Sequence, residues 1–93
     1  MNQVAVRNIT IDLQDKDAGD TNADRHDKIY WKNTTSLPII LNPPNNVAPH
    51  NQERIAAGAT SIKHTVNANA NGAQEYTFSL GVALSPRNGR IVV

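Results

Sequence analysis

The stretch Ile29-Tyr30-Trp31-Lys32-Asn33-Thr34-Thr35-Ser36-Leu37-Pro38-Ile39-Ile40-Leu41 holds the only tryptophan of the chain and its densest apolar run. Two short runs, 29–33 and 37–41, are rich in β-branched and aromatic residues and flank a polar Asn-Thr-Thr-Ser connection, which reads as strand, turn, strand. Ile39-Ile40-Leu41 is too short for a helix. Pro38 lacks a ladder donor, so it belongs at the start of a strand or on a sheet edge. On this reading Trp31 sits at the centre of the core and the rest of the chain is laid out around it.

Towards the N-terminus, Val4 and Val6 have one parity and Ile9, Ile11 and Leu13 the other, a switch that a strand accommodates with a bulge or break near Arg7-Asn8. Apolar residues then nearly vanish from Asp15 to Lys28. Asp15, Asp17, Asp20, Asp24 and Asp27 alternate there with Lys16, Arg25, His26 and Lys28, the composition of a long exposed loop. After the central stretch comes a Pro/Asn-rich crossover, residues 42–51, without periodicity. Ala57-Gly58 marks a turn before Ile62, His64 and Val66, which alternate with polar residues as in a half-buried strand. The Asn67-Ala68-Asn69-Ala70-Asn71-Gly72 segment reads as a turn, and Tyr76, Phe78 and Leu80 as the second strand of the hairpin it would close. A loop from Gly81 to Arg87 and an Asn88-Gly89 turn lead to the β-branched Ile91-Val92-Val93. No segment carries a helical period, so the expected fold is all-β: a Greek-key β-sandwich of six to eight strands forming a single domain over 1–93.

Composition narrows the function. Nine basic against eight acidic residues leave a formal charge of +1 and no Lys/Arg cluster, which argues against nucleic-acid binding. The absence of cysteine removes disulfides, thiolate chemistry and most structural zinc sites. The longest apolar run is far too short to span a membrane. Nor does the N-terminus show the basic and apolar regions of a signal peptide, which fits either a cytoplasmic chain or a periplasmic or secreted one whose leader Met1 replaces.

The order of several features is similar to one family. Trp31-Lys32-Asn33, Leu37-Pro38-Ile39, Ala57-Gly58, Tyr76-Thr77-Phe78-Ser79-Leu80 and Gly89-Arg90-Ile91-Val92-Val93 follow one another as the aromatic-x-Asn, Pro-His, Gly-turn, Tyr-x-Phe-x-Cys and closing motifs do in cupredoxins. Over 29–93 the chain therefore resembles the cupredoxin family, the plastocyanin-like copper proteins built as Greek-key sandwiches. The resemblance implies the scaffold and a bracing role for Asn33 between adjacent loops. It does not extend to the metal. A blue-copper site takes two imidazoles, a thiolate and a weak axial thioether, whereas the corresponding places here hold Ile39, Leu80, a residue near Ala83 and one near Arg87. No cofactor is expected.

Other chemistry finds little support. His26, His50 and His64 have spacings that match no common metal-ligand motif. Asp15-Lys16-Asp17-Ala18-Gly19-Asp20 has the alternating oxygens of a calcium loop, but its glycine is one position early and no glutamate follows at the twelfth. No Gly-x-Ser-x-Gly elbow exposes a serine, and Glu53 and Glu75 are the only glutamates, so an enzyme is not expected. Asn8-Ile9-Thr10 and Asn33-Thr34-Thr35 match the glycosylation sequon, which matters only in an exported eukaryotic protein. The expected function is a metal-free, non-enzymatic, cupredoxin-like binding or assembly module. Its contact with a protein partner, or with another copy, would lie at the vacated copper end, through Leu37, Pro38, Ile39, Val82, Ala83, Leu84 and Pro86. The alternative is a calcium-assisted sandwich binding a small ligand or carbohydrate through the Asp-rich segment 15–28.

Overall fold

Alternation with a period of two places Trp31 inside. In the computed structural model, which describes residues 5–81 and 85–93, the strand Lys28–Asn33 turns Ile29, Trp31 and Asn33 inward and leaves Lys32 in solvent. It is the third of nine strands: β1 (Asn8–Leu13), β2 (Gly19–Asn22), β3 (Lys28–Asn33), β4 (Ile39–Asn42), β5 (Val47–Ala48), β6 (Glu53–Ile55), β7 (His64–Val66), β8 (Ala73–Leu80) and β9 (Arg87–Val92). They form a four-stranded sheet ordered β1-β3-β7-β5 and a five-stranded sheet ordered β2-β9-β8-β4-β6. The β1–β3 and β2–β9 pairs are parallel and the other pairs antiparallel. The fold is all-β, with no helix among the described residues, and the two sheets share one apolar core.

That core is built by the inward residues of β3, β4 and β8. Ile29, Trp31, Ile39, Leu41, Tyr76, Phe78 and Leu80 are all buried, as their alternation predicts. Trp31 meets Tyr76 edge-on, with ring centroids 5.3 Å apart, and His64 edge-on at 4.9 Å. In such T-shaped contacts the positive edge of one ring meets the negative face of another. Tyr76 in turn stands opposite Gly89 in the β8–β9 ladder, and its ring occupies the place that a Cβ on Gly89 would take. Neither Tyr76 Oη nor Trp31 Nε1 completes a hydrogen bond among the described residues. Burial pushes the Tyr76 phenol above its ordinary range, and the neighbouring Trp31 indole offsets this only in part.

Several local expectations are corrected. The described residues form nine strands, one beyond the expected range of about six to eight, because the Asp-rich segment contributes β2, the Pro/Asn-rich crossover β5, and the residues just after it β6. β2 is the sequence Gly-Asp-Thr-Asn and has no apolar alternation to betray it; a parallel ladder to β9 orders it instead. The run 62–66 does not form a hairpin with 76–80, since β7 pairs with β3 and β5 in one sheet while β8 lies in the other. Residues 67–72 are therefore a crossover, and Ile62, 58% exposed, stands outside β7. Asn88-Gly89 is not a turn but lies within β9. At the N-terminus β1 begins at Asn8, after the parity switch; Val6 is half exposed and Val4 lies outside the described residues.

Candidate functional site

The 34–38 connection has few apolar side chains to bury, so hydrogen bonds must hold it, and Asn33 supplies them. Fully buried, Asn33 donates through Nδ2 to the Leu37 carbonyl (2.7 Å) and the Ile55 carbonyl (3.0 Å). Its Oδ1 accepts from the Thr35 amide (2.9 Å) and hydroxyl (2.7 Å). The side chain has two donors and two acceptor positions, and each is used. Burial also takes the Asn33 sequon out of reach of glycosylation in the folded state. The Thr35 hydroxyl and the Gly81 amide, the latter bonded to the Pro38 carbonyl at 2.8 Å, fix the far side of the loop.

This knot presents Leu37. Its backbone is pinned, yet the side chain remains 50% exposed and leans over Gly81. Of the other residues expected in a contact patch, Pro86 is exposed and Pro38 half-buried. Ile39 is fully buried and belongs to the core rather than the surface, standing opposite the buried Leu80 on β8. Val82, Ala83 and Leu84 lie outside the described residues.

The three histidines lie apart. His26 and His50 are exposed in loops, His26 with a positive φ of 73°. His64 is fully buried on β7. Its Nδ1 donates to the Pro49 carbonyl (2.6 Å), because that carbonyl can only accept, and Nε2 faces Glu53 Oε1 at 3.1 Å. Glu53 Oε2 also accepts the Ile62 amide at 2.9 Å, so this pair ties β6 in one sheet to β7 in the other. Sequence reading found His64 but not its partner, since nothing local links residues 53 and 64. Among the described residues no three His, Asp or Glu side chains gather at one metal-sized point.

The aspartates of 15–28 are distributed along the β2 edge, and four of the five have separate partners. Asp15 accepts from Arg87 (2.9 Å), Asp17 from the Asn88 amide (2.9 Å), and Asp20 pairs with Arg90, while Asp27 takes Arg7. The Arg90 hydrogen bond holds the exposed Asp20 carboxyl below its ordinary range. The segment expected to be a solvated loop is thus a strand margin fastened by arginines from β9.

Asp27 differs because it is buried, with 1% of its surface exposed. Burial pushes its carboxyl up. Hydrogen bonds from the Arg7 amide (3.0 Å), the Asp24 amide (2.9 Å) and the Arg7 guanidinium more than offset this, leaving it below the usual aspartate range. A depressed folded-state value means the stabilisation is complete above the unfolded-state value of about 4 and fades as pH falls through the lower folded-state one. Asp27→Asn therefore costs about 2 kcal/mol at neutral pH, since two backbone amide donors and a guanidinium lose an anionic acceptor. Urea unfolding at pH 7 and at pH 3 checks this: the deficit shrinks at pH 3, and an equal deficit at both would show that the charge contributes nothing.

No protein-family model matches the sequence, and no curated protein aligns with it significantly.

Proposed function

We propose that the chain is a non-enzymatic, metal-free, cupredoxin-like module that docks a protein, in the first instance another copy of itself, through the end of the sandwich that displays Leu37. The observation that carries this reading is Leu37 itself. A half-exposed leucine is held by a fully satisfied buried asparagine, so little conformational freedom is lost when a partner covers it. An apolar side chain on a rigid, proline-flanked loop is a suitable anchor for a contact.

Two further features support the scaffold part of the reading. Ile39 and Leu80 occupy the places where the resemblance puts a histidine and a cysteine ligand, and they are buried opposite one another on β4 and β8. Aliphatic packing there leaves no donor set for copper. Asn33 also braces the loops around this end, the role that the resemblance implies for it.

Sedimentation velocity over a range of concentrations tests the proposal. The parent chain shows concentration-dependent association, and Leu37→Asp shifts it to monomer without changing the far-UV spectrum, because a carboxylate in an apolar contact must be desolvated. Identical sedimentation of parent and variant at every concentration would remove the Leu37 end as a self-association surface.

A further inference from the structure

Asparagine clusters where the two irregular crossovers meet. Asn45 and Asn46 from the 42–51 crossover face Asn67, Asn69 and Asn71 from the 67–72 crossover, and with Gln74 of β8 they line a cleft of about 400 Å³. The crossovers are fastened together by the Asn67 amide to the Asn46 carbonyl (2.9 Å) and Asn67 Nδ2 to the Asn45 carbonyl (3.2 Å). The cleft is thus a fixed feature. It lies at the opposite end of β8 from Leu80, and so away from the Leu37 loop.

Backbone needs do not explain Asn45, Asn69, Asn71 or Gln74. Asparagine is favoured in turns because it tolerates positive φ or caps its own backbone, yet the only described non-glycine residue with positive φ is His26. Among the described residues the side chains of Asn45, Asn69, Asn71 and Gln74 accept or donate no hydrogen bond within the protein, so none forms an Asx turn. The sixth amide is odd in another way. Asn46 is only 5% exposed; its Nδ2 donates to the Ile91 carbonyl at 3.2 Å, but its Oδ1 has no partner. A buried acceptor left in that condition is destabilising.

From this geometry we infer that the cleft binds a neutral polyhydroxylated ligand, a sugar. No charged side chain lines it, so a charged ligand would find no counter-ion, and its one apolar residue, Ala70, leaves little for an aromatic or aliphatic ligand to bury against. Carboxamides offer donors and an acceptor a few ångströms apart, which matches the paired hydroxyls of a pyranose. The volume lies within the range of about 300–1,000 Å³ typical of small-ligand sites. Ala70 and Asn71 also form a wall of a neighbouring cleft of about 590 Å³ that reaches Arg25 and His26, giving a second ring room to extend. With no aromatic face to stack on, affinity falls in the millimolar range.

The test is an amide-detected NMR titration of the whole chain with galactose, maltose and diacetylchitobiose, using a capped glycine amide as a peptide mimic. The side-chain NH2 resonances of Asn45, Asn69, Asn71 and Gln74 shift saturably with at least one sugar, and Asn69→Ala with Asn71→Ala weakens that binding by about tenfold, as loss of two ligand hydrogen bonds implies. Both side chains are exposed, so the variant spectrum otherwise overlays the parent. Absence of a saturable shift with all three sugars, shifts confined to other surfaces, or an equal response to the peptide mimic would overturn the inference.

Discussion

Trp31→Ala lowers stability by about 3 to 5 kcal/mol, the range for truncating a large aromatic side chain at the centre of a core. The indole is wholly buried and touches both Tyr76 and His64, so its removal leaves a cavity that neither β3 nor β8 can close without breaking its ladder. A loss of that size is a large fraction of the roughly 5 to 15 kcal/mol margin of small folded proteins. Urea unfolding followed by far-UV circular dichroism measures it, since the variant loses the fluorophore. Unfolding at the same urea concentration as the parent would place the indole outside the core and reverse the strand parity.

Gly89→Ala produces the second large effect, about 3 kcal/mol, at the upper end of what overpacking costs. The side chain that a glycine lacks is the essential point here. A Cβ at 89 would lie 2.8 Å from Tyr76 Cε1 and nearer still to the end of the ring. Either the ring moves, disturbing its edge-on contact with Trp31, or β9 shifts away from β8. A double-mutant cycle separates this from a general intolerance of strand glycine replacement. In a Tyr76→Val background Gly89→Ala costs far less; strict additivity would show that the two positions are not coupled.

What the sequence disclosed and what it hid follow from the kind of force at work. Trp31, Ile29, Tyr76, Phe78 and Leu80 were legible because hydrophobic burial imposes a period of two, and that period is written in consecutive residues. Pro38 was legible for a similar reason: a missing donor restricts it to a strand start, and β4 begins at Ile39. β2 was not legible, because backbone bonds and the Asp20–Arg90 pair hold it across 70 residues of sequence. The misread hairpin at 62–80 shows a different limit. Alternation identifies the inward face of a strand but not the sheet to which it belongs, and here 67–72 crosses between sheets where an Asn-Gly suggested a tight turn.

The candidate sites divide along the same line. Leu37 was recognisable as an aliphatic residue beside proline, whereas Ile39, two residues on, proved to be core because strand parity carries it inward. The amide cleft had only a faint trace in sequence, the local Asn-Ala repetition of 67–71. Its other wall comes from residues 45 and 46, and only the folded crossovers bring the two together.

The position of β9 sets a timetable. In the five-stranded sheet it is an interior strand, flanked by β2 on one side and β8 on the other. During synthesis β2 emerges early and must wait for the opposite end of the chain, some 70 residues later, before it has a neighbour. Non-local closure of this kind makes folding slow and leaves an unpaired margin exposed in the meantime. Asp15, Asp17 and Asp20 guard that margin: before their partners exist, their negative charge, only partly offset by Lys16, discourages another nascent chain from adding to the edge. Once β9 arrives, Arg87, Arg90 and the Asn88 amide convert the same carboxylates from a deterrent into a fastening. A ribosome stalled short of residue 87 would therefore carry a chain with an open sheet, kept from its neighbours chiefly by its aspartates.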